Sequence, residues 1–343
     1  MKVKKIKLAD LPLVYAVTSI KLHGQDYFLA ASELEGEGSN CLLLHPKTGK
    51  CSRIWSRPGG VMSLIPVPGD EGAFLSIDEF YPVFKSEKAS INLTRLTGSE
   101  ECLHAQKKNI CNLPYTHRIT LLEETDGLFL AAANLCRSKK FVEDWSDPGG
   151  IHIGAYGDHV VLQEVYHGLS KNHGMYTQKT PAGDVLWIGA HEGLFRCSRE
   201  GGRWITKQIL NEEISDLWMY DIDGDGEQEI AVIRGFHGNE AAILKNRHGK
   251  YEQLAAVPLN FAHVVWLGAL CGSMYMVTAS RGGEMELAMH QIQCRNGGCE
   301  LATTVLDKGT GATQIAVLGD EREAMICAAN HESGTVDLYM LEK

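Results

Sequence analysis

A chain of 343 residues with 44% hydrophobic and 22% charged residues has the composition of a folded globular protein rather than a disordered one. Its formal net charge of −10, with no basic block interleaved with aromatics, argues against nucleic acid as a partner. No run approaches the ~18 apolar residues a membrane-spanning helix needs, so no membrane partner is expected. Asp10 and Pro12 interrupt the apolar stretch that the N-terminal lysines would need to form a signal peptide, which makes a cytoplasmic location the expectation.

Read from the N-terminus, the chain is a succession of short β-rich runs divided by Gly, Asp, Asn and Pro, without a long amphipathic helix. A lone run, "KKIKLA", comes first. Sets of four then begin near Val14, Val61 and Tyr115, and a fourth set opens at "HGMYTQKT". The fifth reads "DLWMYDID", "EQEIAVIRG", "NEAAILKN", "KYEQLAAVP"; the sixth reads "AHVVWLGA", "SMYMVTAS", "EMELAMHQIQ", "CELATTVLD". The seventh, "GATQIAVLG", "EAMICAAN", "GTVDLYMLE", has only three runs. Seven sets of about 49 residues match the spacing of four-stranded propeller blades. The spare N-terminal run, about residues 2–9, supplies the strand missing from the last set, about residues 311–343. The expectation is therefore an all-β fold: one seven-bladed β-propeller of antiparallel blades over residues 1–343, closed by pairing its two ends so that no sheet edge is left open.

Ten cysteines contain no CxxC pair, which excludes a zinc ribbon and a thioredoxin motif. Cys294 and Cys299 flank "RNGG", a hairpin turn that sets them opposite each other. In a chain read as cytoplasmic they are expected as neighbouring thiols, with a disulfide as the alternative.

One motif stands out, "YDIDGDGEQEI". Asp221, Asp223, Asp225 and Glu229 alternate with Gly224 and Gly226, so one tight loop can wrap its oxygens around a hard cation. With these residues the loop resembles the calcium loop of FG-GAP/VCBS-type propeller repeats. That resemblance implies the propeller fold and a structural Ca²⁺. The loop joins the first strand of its blade to the second, and propeller ligand sites usually lie on the opposite face.

The opposite face collects the starts of the innermost strands and the second-to-third loops. The strand starts bring His117, His173, Asp216, His263 and Gln314. The loops bring Asp78, Glu79, Tyr81, Asn134, Arg137, His191, Glu192, Arg234, His237, Arg281, Glu284, Asn330 and His331, and Arg57 enters from a blade link. Six of the 14 histidines thus fall on one ring. His117, His173, His191, His237, His263, His331, Arg137 and Arg281 are the candidate catalytic residues, because they offer bases titrating near neutrality and grips for a carboxylate. Arg57, Asp78, Glu79, Tyr81, Asn134, Glu192, Arg234, Gln314 and Asn330 are the candidate substrate contacts. The long loop "LCRSKKFVEDWSDPGG" is placed to form a wall or lid over the funnel.

This set suits β-elimination from a small uronate or keto-sugar glycoside, in which a histidine removes a proton beside an acid group neutralised by arginine or metal. The architecture is similar to that of the oligogalacturonate lyases, whose divalent metal is held by histidines and a glutamine. The resemblance implies a second metal in the funnel held by His173, His263, His331 and Gln314. A glycoside hydrolase would need two facing carboxylates, Asp78 or Glu79 with Glu192 or Glu284. A binding propeller without catalysis is the third reading.

Overall fold

The blade's second strand shows how this sequence builds its sheets. Ala73–Asp78, Val185–Ala190 and Glu229–Arg234 are buried almost throughout, so they read as continuous apolar runs rather than alternating ones. Each is covered by a neighbouring blade on both faces. The outermost strands, such as Cys51–Trp55 and Lys250–Pro258, alternate or stay polar because one side meets solvent.

The computed structural model describes residues 1–99, 102–295 and 297–343. Its 28 strands, β1 to β28 in chain order, form seven four-stranded antiparallel sheets. Seven apolar clusters fill the spaces between blades. One joins Leu75, Ile77, Ile91 and Leu93 of the second blade to Ile119, Leu121 and Leu130 of the third. Each such side chain contributes roughly 1.5–3 kcal/mol by leaving water.

Ring closure follows the expectation. β1 (Lys2–Asp10) pairs antiparallel with β28 (Thr335–Glu342), from Lys2 opposite Glu342 to Asp10 opposite Thr335. The last sheet runs β1, β28, β27 (Glu323–Asn330) and β26 (Ala312–Gly319). Lys5 ties the closure further by pairing with the buried carboxylate of Asp337 at 3.0 Å.

Cys294 and Cys299 depart from the expected thiols: they form a disulfide. They are directly paired across the hairpin with Cα atoms 4.0 Å apart, which puts the sulfurs within bonding reach. Asn296 of the intervening turn lies outside the described residues.

The innermost strands are β2 (Val14–Leu22), β6 (Ser63–Pro66), β10 (Thr116–Glu124), β14 (Gly174–Gln178), β18 (Ile214–Tyr220), β22 (Ala262–Leu270) and β26. Their entries share one device. Two residues before the channel neck the backbone turns left-handed at Leu13, Gly60, Tyr115, Lys171, Phe261 and Gly311, with φ between 49° and 64°. At the neck itself, Tyr15, His117, Ser215, His263 and Thr313 are each skipped by the strand pairing. A bulge leaves one residue unpaired and re-aims its side chain. Repeated in five of the seven blades, it brings the side chains of Tyr15, His117 and His263 together at the axis. Four of the six left-handed residues are not glycine, and each costs on the order of 1 kcal/mol there.

Candidate active site

Three of the bulged residues, Tyr15, His117 and His263, meet across the channel with His173, which stands just before its strand, and close it as a layer. Tyr15, His117, His173 and His263 are 4%, 2%, 1% and 2% exposed. The Tyr15 hydroxyl lies 3.1 Å from His117 Nε2 and 3.4 Å from the Nε2 atoms of His173 and His263. His237 reaches in from the loop between the second and third strands of the fifth blade, with its Nε2 3.3 Å from that of His173.

Two hydrogen bonds settle the tautomers. His173 Nδ1 donates to the Ser215 carbonyl at 3.0 Å, and His263 Nδ1 donates to the Thr313 carbonyl at 2.9 Å. A carbonyl only accepts, so both protons sit on Nδ1 and both Nε2 atoms present lone pairs to the centre. The ligand atoms of His173, His237 and His263 all lie within 4.8 Å of one another. Imidazoles anchored through one nitrogen to backbone carbonyls, with the other nitrogen facing a shared point, are the arrangement of histidine metal ligands. His117 Nδ1 is buried with no hydrogen-bond partner.

The electrostatics agree. Burial pushes His117, His173 and His263 well below the ordinary histidine range, helped by neighbouring histidines and Arg118. Burial and then Arg281, Arg118 and Lys171 bring His237 down to about 4. All four are neutral at pH 7, so their nitrogens are available as ligands or bases.

Above this layer, the long loop after β11 (Gly127–Asn134) crosses the mouth, as its length suggested. Trp145 packs on Phe84 of the second blade and Phe236 of the fifth, with ring centroids 6.0 and 6.2 Å apart. Lys139 Nζ sits 3.1 Å from the Trp145 ring centre, and Phe236 packs edge-on against His173 at 5.9 Å. The histidines are roofed by aromatics on the side where the sequence placed the funnel.

Below the layer the channel is hollow. A cavity of about 510 Å³ is lined by the middle of all seven inner strands. Its inner end carries Arg118, Asp216 and Gln314, and the residues beyond, such as Thr18, Thr177 and Trp218, are partly exposed. The channel is therefore shut at the histidine end and open on the face of the acidic loop. Burial raises the Asp216 carboxyl to about 7, although Arg118 and the Leu217 N–H oppose the shift.

The other sequence candidates divide. Gln314 lies in the channel, but its side chain is spent on the Met62 carbonyl and the Val17 N–H. His331 packs edge-on against Tyr15, with ring centroids 6.4 Å apart, but its nitrogens are engaged by Glu33 at 2.6 Å and by Glu332 and Arg281. Neither joins the imidazole ligand set. His191 pairs with Glu213 at 2.7 Å, and Glu192 accepts from Ser170. Arg137 pairs with Glu164 on the rim, Arg234 with Glu212 and Glu240, and exposed Arg57 with Glu37. Asp78 is inside its blade, bonded to Asn92 and Lys107. Asn330 is likewise inside, bonded to Asp337. Asn134 braces its own loop through Gly150 N and the Cys136 carbonyl. Glu79 and Tyr81 stand partly exposed beside each other, and Glu284 pairs at the surface with Lys308. Strand ends are correctly placed by counting, but side chains alternate, and these point into the blade or out to the rim.

Tyr15 and Arg118 were missed, and Asp216 was placed without a role. The available signal was register: Tyr15 in "LVYAV" holds the position of His117 in "YTHRIT".

The acidic loop takes in a residue that its spacing does not show. Asp221 accepts from the Gly224 and Gly226 N–H groups at 2.7 and 2.9 Å, and both glycines have positive φ. Lys245 Nζ donates to Asp223, Asp225 and Glu229 at 2.6, 2.7 and 2.8 Å. Burial disfavours its charge, but the three carboxylates outweigh that and hold its pKa above the ordinary lysine value. Lys245 Nζ thus stands among the carboxylates expected to hold Ca²⁺, while Asp221, Asp223 and Asp225 keep carboxylate oxygens within 4.8 Å of one another.

With the ammonium in the cation's place, added calcium is expected to leave the melting temperature of the wild type unchanged. Lys245→Met leaves fully buried Glu229 without its cation, and should destabilise by roughly 3–5 kcal/mol. Millimolar calcium should then rescue that variant, and calorimetry with and without calcium measures both effects. A wild type stabilised by added calcium would overturn the lysine assignment.

No family model matches the chain, and no curated protein matches it, so the likeness to FG-GAP/VCBS repeats rests on the one loop. Solved structures do resemble it. A proposed 6-phosphogluconolactonase from Bacteroides fragilis is 12% identical, with a TM-score of 0.58 over 93% of this chain and 88% of that one. The β-propeller domain of Cps50 (Swd1) from Myceliophteria thermophila is also 12% identical, with a TM-score of 0.58 over all of both chains. A chain of the mitotic checkpoint complex is 11% identical, with a TM-score of 0.65 over 99% of this chain and 91% of that one. At such identity they show the seven-bladed β-propeller fold, which hosts enzymes and binding modules alike.

Proposed function

We propose that this propeller is a metal-dependent enzyme acting on a small sugar acid, with β-elimination as its reaction. The supporting observation is the convergence of Nε2 atoms from His173, His237 and His263, two of them fixed as lone-pair donors by backbone carbonyls. An all-imidazole set suits zinc, iron, nickel or copper better than calcium or magnesium. A bound divalent ion would supply Lewis acidity toward the substrate's acid group.

The protein's own groups cover the proton movements. His117 is neutral at pH 7 and hydrogen-bonded through Nε2 to the Tyr15 hydroxyl, so together they can take the proton from the carbon beside the acid group. Asp216, titrating near 7, can return a proton to the leaving oxygen. The C–H and C–O bonds break and a C=C bond forms, with no redox partner needed. Glycoside hydrolysis fares worse, since Asp78 is inside its blade, Glu284 pairs at the surface with Lys308, and Glu192 is engaged by the Ser170 N–H and hydroxyl. The Bacteroides neighbour makes hydrolysis of a sugar lactone the second reading.

The test is a screen of uronate and keto-sugar glycosides and sugar lactones with protein of measured metal content. New ultraviolet absorbance, lost on chelation, supports elimination. Released sugar or acid without absorbance makes the protein a hydrolase, and binding without turnover makes it a receptor-like module.

A further inference from the structure

We infer that the channel cavity on the acidic-loop face binds the carboxylate of a small sugar acid on Arg118. The inference rests on the proposed function only for the class of ligand, since the cavity and its charge are features of the fold. Arg118 is 9% exposed, and it has no carboxylate within ion-pairing distance among the described residues. Its Nη1 donates to the Met62 and His117 carbonyls at 3.3 and 3.4 Å, both neutral acceptors, and Asp216, which shares the inner end of the cavity, makes no ion pair with it. A buried guanidinium without a counter-ion is costly unless an anion visits it, and its planar fork matches a carboxylate.

The walls match the rest of such a molecule. Tyr176, Trp218 and Trp266 form an arc with successive ring centroids 5.2 and 6.3 Å apart, all three lining the cavity and partly exposed. Neither the Trp218 nor the Trp266 indole N–H has an acceptor among the described residues, while Trp55 and Trp187 have theirs. Facing rings and unspent N–H donors suit a flat, hydroxyl-rich ligand. On the far wall, Thr120 and Thr177 share a hydrogen bond at 2.7 Å and offer hydroxyls into the same space. About 510 Å³ lies within the range of small-molecule sites, and too little room remains at the histidine end for a polymer to thread through.

The test is calorimetric titration of the full chain with gluconate, glucuronate and galacturonate, and with glucose as the neutral control. At least one acid should bind and glucose should bind at least tenfold more weakly. Arg118→Gln should weaken the acid at least tenfold, and Thr177→Phe, which fills the cavity without touching the arginine, should do the same. Equal binding of acid and glucose, no binding by any acid, or unchanged affinity in both folded variants would overturn the inference. Two outcomes separate the readings. Acid binding by the metal-loaded wild type without turnover of any substrate in the screen sinks the enzyme and keeps the cavity site, whereas wild-type turnover that ignores Arg118→Gln sinks the cavity site and keeps the enzyme.

Discussion

His263→Ala is expected to strip tightly bound transition metal from the purified protein and to lower turnover on the order of 100-fold or more. Loss of groups that merely support a metal ligand already costs 10–100-fold, and His263 is placed to be a ligand itself. His237→Ala should behave alike and is the gentler change, because His237 stands in a loop and is partly exposed. Two controls distinguish a ligand set from a generally histidine-rich face. His331 is engaged by Glu33, Glu332 and Arg281, and His191 by Glu213, so alanine at either position should leave metal content unchanged. Elemental analysis of the four variants decides the matter. Equal metal loss in all four, or in none, would sink the assignment.

The second large effect is acid lability of the metal-free protein. His117, His173 and His263 have folded pKa values well below 6.5, and His237 is at about 4. The unfolded chain therefore binds protons below pH 6.5 that the folded chain refuses. Stability contributed by keeping these histidines neutral is full above 6.5 and is lost as pH falls toward 4. Each contributes a slope of about 1.4 kcal/mol per pH unit inside that window. Asp216 acts in the other direction: its raised folded pKa gives stability at low pH that is lost as pH rises from 3.8 to about 7. With one group opposing four, the net fall from pH 7 to 5 is on the order of 5 kcal/mol, comparable with the whole stability of many domains. Denaturant titrations at pH 7, 6 and 5 measure it, and His237→Gln should remove about a quarter of the histidine contribution. Stability that stays level down to pH 5 would show that the histidines are not desolvated as described.

Both expectations concern residues visible in the sequence, but not for the reason the sequence offered. Counting strands placed His117, His173, His237 and His263 on one face, and they do meet. The same count placed Asp78, Asn330 and Arg234 there, and their side chains go elsewhere. A strand count locates a backbone to within a residue, while a one-residue offset reverses which way a side chain points. The bulges at the channel neck are such offsets, and nothing in "LVYAV" or "FAHVVW" announces them. Tyr15 escaped notice because an isolated tyrosine in an apolar run reads as core.

The acidic loop shows the opposite limitation. Its carboxylates are legible at a glance because their spacing is local, yet the cation that closes them, Lys245, comes from a strand 16 residues beyond Glu229. A residue supplied from across a sheet leaves no mark in the spacing of the loop it completes.

Local information sufficed for the architecture. Seven sets of apolar runs, a three-strand remainder and a spare N-terminal strand admit one economical closure, because an unpaired sheet edge is unfavourable. That argument needs only periodicity and backbone hydrogen bonding, both of which a sequence carries. Which imidazoles share a centre, which face of the channel is open, and which lysine stands among the carboxylates of a loop depend on side-chain direction and on contacts between residues far apart in the chain. Those were settled only when seven blades brought residues as distant as Tyr15 and His263 within hydrogen-bonding reach.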